Sequence, residues 1–370
     1  MKHHVRCAGL VTLALASRVA AQGNERNPLR LHNGEDKVVI LPTPQPVGDY
    51  VWKVFPREVL RHPTGSLHLS GIEFHVFDRN PATASNGFDV LLTPAIPSVS
   101  NPGALEPDLA NPLYTVALPN GIKVPGTACT NAAALITIQP LQPIQILADG
   151  TMDYALVITQ PPCASTPSPC GPPDCTWVGV YSDDEQGADV LANGLSPYGG
   201  MQAQSLGGQM PDPYNYALAA GLQFVEPILA IRTGQVGAGA PQDLGLAGVN
   251  LPLSVSSRML AYTVRAIAPA GNVAIAASSL MSPLPGMGFP LYGAGWLLNP
   301  GDPVLAPTLR LGAFTPPSSF PTKSLMFESN APIPLNAGAI GVVVYSHAFV
   351  LDPLLGLARA SNLVRTNLLP

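Results

Sequence analysis

Proline and glycine divide this chain into many short apolar runs. Its 370 residues include 42 prolines and 35 glycines, which lie scattered between the runs instead of forming tracts. A proline inside a helix removes a hydrogen bond and clashes with the preceding turn, so this spacing leaves little room for long helices. Short apolar runs separated by turn residues are typical of chains with many strands. The pattern predicts an all-β fold.

Two segments carry the most specific strand signals. In residues 66–77, strict alternation fails unless a one-residue bulge lies near Ser70 and Gly71. Residues 340–350 are apolar on both faces, which predicts a central, doubly covered strand. The only helical pattern, residues 214–220, is short. With the bulge in place, the predicted core face consists of Leu67, Leu69, Ile72, Phe74 and Val76, and the predicted solvated face of Ser66, His68, Ser70, Glu73 and His75.

A stretch of small, uncharged residues divides the chain. Residues 234–241 read GQVGAGAP, and strand patterns resume after them for a full domain length. Such a stretch predicts an interdomain linker, although a loop within one domain is the alternative. We therefore expect two β-sandwich-like domains, an N-terminal one at residues 22–233 and a C-terminal one at 242–370.

The first 21 residues have the order of a secretory signal peptide. Lys2 and Arg6 supply a cationic start, residues 7–17 are small or apolar, and Val19-Ala20-Ala21 supplies small residues for a signal peptidase. We expect cleavage between Ala21 and Gln22 and a secreted or cell-envelope location.

Charge argues against two classes of partner. The leader takes three of the 18 basic residues and none of the 23 acidic ones, which leaves the mature chain with 15 basic residues and a formal charge of −8. No basic run is present to match a phosphate backbone or an anionic membrane. No later segment has the roughly 20 apolar residues that a membrane-spanning helix needs. We expect neither nucleic acid nor a membrane span.

Four cysteines remain after the predicted cleavage. An even number in an exported chain predicts two disulfides, and three pairings are possible. A structural zinc site is the weaker alternative, because paired C-x-x-C spacings are missing. The four residues are Cys129, Cys163, Cys170 and Cys175.

The C-terminal third contains several short motifs of small and apolar residues, namely Ile333-Pro334-Leu335-Asn336, Gly341-Val342-Val343-Val344-Tyr345, Leu351-Asp352-Pro353, Ala360-Ser361-Asn362-Leu363 and Trp296-Leu297-Leu298-Asn299-Pro300-Gly301. In these motifs it resembles the small β-domain of exported, uncharacterised proteins from planctomycete-type bacteria. A glutamine common in that family's central strand has no counterpart here, and His347 lies nearby instead. The resemblance implies a class of exported protein and no particular chemistry. The N-terminal block resembles no family that we identify.

Catalytic signatures are missing from the sequence. It contains no G-x-S-x-G, no H-E-x-x-H and no phosphate-binding glycine loop. Glu73 and His75 fall about 7 Å apart along one strand face and could pair, but a solvated sheet face is the favoured interpretation. His347, beside Tyr345 and Phe349, is predicted to be a hydrogen-bonded core histidine and not a catalyst.

Two features could bind ligands. Asp183, Asp184, Glu185 and Asp189 crowd one predicted loop, and clustered carboxylates suit calcium, although the spacing is not that of an EF-hand. A solvated turn is the alternative.

Loop aromatics could form a platform for sugar rings, with core filling as the favoured alternative. The tyrosines and tryptophan concerned are Tyr198, Tyr214, Tyr216, Tyr292 and Trp296.

These features favour an exported, non-enzymatic protein with a structural, surface or adhesion role. The alternative is a β-module that binds carbohydrate or calcium, followed by a β-fold hydrolase with a dispersed site. We predict no catalytic residues and no cofactor, calcium excepted, and we consider polysaccharides and extracellular proteins as partners.

Overall fold

A computed structural model shows an almost entirely β protein. It describes residues 28–30, 38–39, 50–78, 87–99, 101–124, 126–127, 132–159, 176–178, 180–182, 199–203, 208–211, 216–218, 220–235, 250–252, 258–266, 271–314, 325–328, 333–335 and 339–369. The predicted all-β class is therefore confirmed. No helix in the described ranges is long and apolar enough to cross a membrane.

The described residues of the first half of the chain form one short helix, α1 (Arg57–Leu60), and sixteen strands. The strands are β1 (Pro28–Arg30), β2 (Val38–Val39), β3 (Tyr50–Phe55), β4 (Ser66–Asp78), β5 (Phe88–Pro97), β6 (Leu105–Pro107), β7 (Tyr114–Leu118), β8 (Ala132–Ile138), β9 (Ile144–Leu147), β10 (Asp153–Thr159), β11 (Thr176–Val178), β12 (Val180–Ser182), β13 (Gly199–Ala203), β14 (Gly208–Pro211), β15 (Tyr216–Leu218) and β16 (Ala220–Phe224).

These strands form three antiparallel sheets. Sheet I has the order β1-β16-β4-β11, with β8 and β9 also paired to β4. Sheet II has the order β14-β13-β3-β10-β5-β6, with β7 also paired to β5. Sheet III is β15-β12-β2, and its strands β12 and β15 adjoin β11 and β16 of sheet I in sequence. Sheets I and II pack face to face, as the edge-on contact of Phe74 with Phe88 at 6.2 Å between ring centroids shows.

In the second half, the part of the chain that the structure describes forms a further short helix, α2 (Leu305–Thr308), and twelve strands. The strands are β17 (Ile228–Gln235), β18 (Asn250–Pro252), β19 (Arg258–Ala266), β20 (Val273–Ser279), β21 (Phe289–Leu291), β22 (Ala294–Trp296), β23 (Arg310–Ala313), β24 (Leu325–Glu328), β25 (Ile333–Leu335), β26 (Val343–Asp352), β27 (Leu357–Ala360) and β28 (Val364–Leu369).

Sheet IV has the order β17-β19-β24, with β25 also paired to β19, and sheet V has the order β18-β28-β26-β20-β23, with β27 also paired to β26. A small two-stranded hairpin, β21-β22, completes this half. A buried hydrogen bond between the hydroxyls of Tyr262 and Ser278, 2.7 Å, joins sheet IV to sheet V. Ser278 in turn contacts the hydroxyl of Ser346 at 2.8 Å, so a polar chain is satisfied inside an apolar core.

The bulged strand forms as predicted. Opposite β4, the register slips between Gln223 and Phe224, so that Gly71 faces Gln223 and Leu69 faces Phe224. All five residues of the predicted core face, Leu67 to Val76, are fully buried. An alanine at Gly71 would place its Cβ only 2.5 Å from Gln223 Oε1, which explains why the bulge carries a residue without a side chain.

The predicted central strand is also confirmed. β26 lies between β20 on one side and β27 and β28 on the other. Ala348 and Val350 face the main core, whereas Phe349 faces a second apolar cluster with Trp296 and Leu363. Both faces of the strand are therefore covered, as its unbroken apolar run requires.

The predicted helical turn at residues 214–220 is wrong. The described part of this segment forms β15 and the first residue of β16. Pairing of β15 with β12 and of β16 with β4 satisfies the backbone as strands, and long-range pairing overrides weak local propensity.

The chain passes from one group of sheets to the other around Pro227. β16 pairs within sheet I. β17 begins after three intervening residues and pairs along its whole length with β19 in sheet IV. Gly234 and Gln235, at the start of the predicted linker, are the last two residues of β17. Residues 236–241 lie outside the described ranges.

The two groups of sheets share one continuous apolar core and a polar junction. The core extends from residues such as Leu92 in sheet II to Val350 in sheet V. At the junction, the Asn362 amide donates to the carbonyl oxygens of Val59 (2.7 Å) and Leu229 (3.1 Å), and its Oδ1 accepts from the Leu229 amide at 2.7 Å. A single side chain thus links α1, β17 and the segment before β28.

Candidate ligand-binding site

Glu73 of the predicted dyad is buried, not solvated. Its exposure is 1%, and Gln223 of β16 donates a hydrogen bond from Nε2 to Glu73 Oε2 at 3.0 Å. Ser70, on the same predicted outer face, is buried as well. The prediction of a solvated face is wrong at these two positions, and the hydrogen-bond partner of Glu73 comes from the paired strand β16, 150 residues away in sequence. His75 is only partly buried, as a sheet-surface residue would be.

His68 has a partner that the sequence did not suggest. Glu226 accepts hydrogen bonds from the His68 backbone amide at 2.9 Å and lies 2.5 Å from the His68 ring through its other oxygen. The Val225 amide donates to the His68 carbonyl at 3.0 Å. These contacts hold the end of β16 against β4 just before the chain crosses to sheet IV. A separation of 158 residues hides the pair from any local pattern.

His347 is a core histidine, as predicted. It is fully buried, its Nε2 lies 3.1 Å from the carbonyl oxygen of Ser361, and the Leu297 amide approaches its Nδ1 at 3.5 Å. Only a neutral ring with the proton on Nε2 satisfies both contacts, since a carbonyl accepts and an amide donates. Burial lowers the pKa of His347 to about 3, which agrees with a neutral ring.

Two sets of predicted site residues lie outside the described ranges. These are the carboxylates proposed for calcium, Asp183, Asp184, Glu185 and Asp189, and the four cysteines Cys129, Cys163, Cys170 and Cys175. Among the described residues, no group of three or more histidine, cysteine or acidic side chains could hold a metal ion.

The aromatic residues of the C-terminal half separate into two roles. Trp296 is 7% exposed and stacks on Phe349 with 4.8 Å between ring centroids, so it fills the core. Tyr292, four residues earlier, is 58% exposed. Tyr198 and Tyr214 lie outside the described residues, and only the backbone of Tyr216 is described.

Tyr292 borders a cleft of about 330 Å³ on the edge of sheet V. Three parts of the chain build it: the residue before β20, the turn between β21 and β22, and the facing strands β26 and β27. Val350 and Leu357 supply apolar walls, and Asn272, Asp352 and Arg359 supply polar groups. Clefts of roughly 300–1,000 Å³ with apolar walls and a few convergent polar groups are the usual small-molecule sites.

The turn that presents Tyr292 is unusual. Leu291 pairs with Ala294, so Tyr292 and Gly293 form a two-residue hairpin loop. Their φ values are 48° and 84°, the sign pattern of a type I′ turn, which prefers asparagine, aspartate or glycine. A tyrosine here costs on the order of 1 kcal/mol or more in backbone strain. The Tyr292 carbonyl accepts a hydrogen bond from the Ala358 amide at 2.9 Å, which anchors the turn to β27.

Asn272 is the polar group most enclosed by the cleft. It is only 4% exposed and lines the cleft wall. Its side chain has no hydrogen-bond partner among the residues that the structure describes. The Asn272 amide is therefore available to donate hydrogen bonds to a ligand in the cleft and to accept them from it.

Asp352 and Arg359 bring opposite charges to the cleft. Asp352 Oδ1 accepts from the backbone amides of Leu354 (2.9 Å) and Leu355 (3.1 Å), which fixes the tight turn between β26 and β27. Partial burial lowers the pKa of Arg359, and the neighbouring Asp352 carboxylate opposes that shift. The two side chains balance in charge, so the cleft carries polar groups without a strong net field.

We expect the hairpin that carries Tyr292 to be sensitive to volume at Gly288. Gly288 and Gly286 have similar positive φ values, 68° and 58°. An alanine Cβ at Gly288 would collide with the carbonyl of Trp296, whereas nothing lies within 4 Å of one at Gly286. Gly288→Ala should therefore lower the free energy of unfolding by about 2 kcal/mol more than Gly286→Ala. Urea denaturation of both variants measures the difference, and equal losses would contradict the described turn.

Sequence reasoning found Tyr292 and missed the rest of the cleft. Asn272, Asp352 and Arg359 sit at strand ends that only pairing of β20, β26 and β27 brings together. Tyr292-Gly293 between two short apolar runs was the one local signal, since a glycine-containing pair there predicts a hairpin loop.

Comparisons with known proteins assign no family. No protein-family model matches the sequence, and no curated protein matches it. Among solved structures, a crystal structure described as "putative beta-galactosidase" from Bacteroides fragilis aligns with 91% of this chain and 34% of its own length. The sequence identity is 9% and the TM-score is 0.22, so the alignment supports no conclusion about fold or activity.

Proposed function

We propose that this chain is an exported, non-enzymatic protein of the surface or adhesion type, and that it binds a small ligand in the cleft beside Tyr292. The observation that carries the binding proposal is Asn272, a 4%-exposed residue that lines the cleft and whose side chain has no protein partner among the described residues. The strained Tyr292 backbone supports it, because strain in proteins concentrates at functional positions.

Export is supported by the leader-like residues 1–21, and a surface role by the absence of catalytic signatures from the sequence. The cleft itself favours binding over turnover. Asp352 supplies a carboxylate to the cleft, and this group already accepts hydrogen bonds from two backbone amides of its own turn. A group fixed in this way positions the loop and is poorly placed to exchange protons with a substrate.

The test is a thermal melt of residues 22–370 against soluble polysaccharides, monosaccharides, amino acids and short carboxylic acids. A ligand present at 100 times its Kd stabilises the folded state by about 2.7 kcal/mol, which a melt detects as a raised midpoint. A shift with one class of compound would support the proposal. No shift with any class would count against it.

Asn272 provides a sharper test, because its predicted effects on binding and stability have opposite signs. Replacing it with leucine, Asn272→Leu, removes the unpartnered amide while keeping a similar volume. We expect the free energy of unfolding without ligand to stay level or to rise by about 1 kcal/mol, and the ligand-induced shift to disappear. A variant that loses stability and retains its ligand shift would show that Asn272 serves the fold and not a ligand.

A further inference from the structure

The geometry of the cleft points to a neutral saccharide unit as its ligand, with one ring face on Tyr292 and its hydroxyl edge toward Asn272, Asp352 and Arg359. This inference rests on the proposed binding function and names the chemical class of the ligand. It follows from three properties of the cleft: an exposed aromatic residue, a set of polar groups among the other lining residues, and balanced charge.

The aromatic face is available and held in place. The Tyr292 side chain is 58% exposed, and its backbone is fixed by the type I′ turn and by the hydrogen bond from Ala358. The turn that carries the ring is therefore anchored to β27 beside the cleft. A sugar ring presents a face of C–H groups, which suits an aromatic face with apolar neighbours.

The polar edge matches hydroxyl groups better than a single charged group. Asn272 offers two donors and an acceptor, Asp352 is an acceptor, and Arg359 is a donor. A row of hydroxyls can donate to a carboxylate and an amide oxygen while accepting from an amide and a guanidinium. A carboxylate ligand could only accept hydrogen bonds, and an ammonium ligand could only donate them. Either ligand would leave donors or acceptors of the cleft without a partner on binding.

The charge and the volume of the cleft restrict the class of saccharide ligand further. Asp352 and Arg359 contribute one negative and one positive charge, which gives no net attraction to an acidic or a basic sugar. The volume of about 330 Å³ lies near the lower end of the range for small-molecule sites, so the cleft holds one or two rings and not a long chain segment. The end of a glycan fits this description.

The experiment is saturation-transfer NMR and calorimetric titration of residues 22–370 with named probes. The neutral probes are the methyl glycosides of glucose, galactose, mannose and N-acetylglucosamine, and the charged probes are glucuronate and glucosamine. We expect at least one neutral glycoside to bind, and its affinity to exceed that of both charged sugars. In Tyr292→Asn, which removes the ring but tolerates positive φ, affinity should fall about tenfold. In Tyr292→Phe, which keeps the ring, it should change less than threefold.

The outcomes separate this inference from the proposed function. Binding of only the charged sugars, or equal affinity in the wild type and Tyr292→Asn, would overturn the saccharide assignment. Binding of an amino acid or carboxylic acid that Asn272→Leu abolishes, with no neutral glycoside bound, would also overturn it and leave the binding function standing. If neither glycosides nor any other class binds, both proposals fail. An unchanged melt of Tyr292→Asn without ligand excludes unfolding as the cause of lost binding.

Discussion

The free energy of unfolding should fall steeply as the pH drops from about 6.5 toward 3, and much of that fall should disappear in His347→Gln. Burial is the main cause that lowers the pKa of His347 to about 3, with the nearby His62 and Arg61 charges acting in the same direction. In the unfolded chain the imidazole takes up a proton near pH 6.5. Unfolding between these two pH values therefore binds a proton, and acid favours the unfolded state.

The expected loss of unfolding free energy is large. A shift of this extent in one group corresponds to a loss on the order of 4 kcal/mol by pH 3, since each pH unit in the window is worth about 1.4 kcal/mol. Glutamine is the suitable replacement, because its amide can donate to Ser361 and accept from Leu297 without titrating. Urea denaturation of both proteins at pH 7, 6, 5 and 4 measures the effect.

Comparing the wild type with His347→Gln cancels the contributions to pH-dependent stability that the two proteins share. Burial also lowers the pKa of His62, so both proteins should lose some stability in acid, and only the difference between them reports on His347. At pH 7 we expect the free energy of unfolding of His347→Gln to be lower than that of the wild type. On acidification it should fall by less. Parallel curves for the two proteins from pH 7 to 4 would show that His347 does not titrate as a buried neutral ring.

Asn362→Leu should lower the free energy of unfolding by roughly 3–5 kcal/mol. The Asn362 side chain is fully buried and makes three hydrogen bonds, to the Val59 carbonyl and to both the amide and the carbonyl of Leu229. Leucine fills a similar volume, so water cannot easily replace the amide. Each of the three backbone groups left without a partner costs about 1–3 kcal/mol, and partial relaxation keeps the sum below the maximum.

A matched control is available on the surface. Asn111 is exposed, and its amide contacts Asp108 within one turn at 2.7 Å. Asn111→Leu should change stability by less than about 0.5 kcal/mol. Chemical denaturation at neutral pH compares the two, and similar small losses in both variants would mean that Asn362 does not join the two groups of sheets in solution.

Strand β4 shows which features of the fold could be predicted from the sequence and which could not. The bulge near Ser70 and Gly71 follows from a break in alternation that is visible in the sequence alone. It depends on the period of two along a strand, which is a local property. The outer face of β4 was predicted less well, because the residue that covers Glu73 comes from β16.

In the candidate site, too, some features could be predicted from the sequence and others only from the tertiary structure. Tyr292 could be singled out from the sequence as a loop aromatic, with core filling as the favoured alternative, and His347 could be assigned to the core from its apolar neighbours. The cleft could not be foreseen, since Asn272 lies about 80 residues from Asp352 along the chain and meets it only when β20 pairs with β26.

The sequence by itself determined the all-β class, the leader-like start, the acidic charge and the bulge near Gly71, because composition and short-range periodicity decide these. Tertiary structure alone decided where the two groups of sheets meet, which polar groups are buried, and that Asn272, Tyr292, Asp352 and Arg359 border one cleft. The physical reason is that strand pairing joins residues far apart in sequence, and neither its partners nor the burial it creates is encoded in any local window.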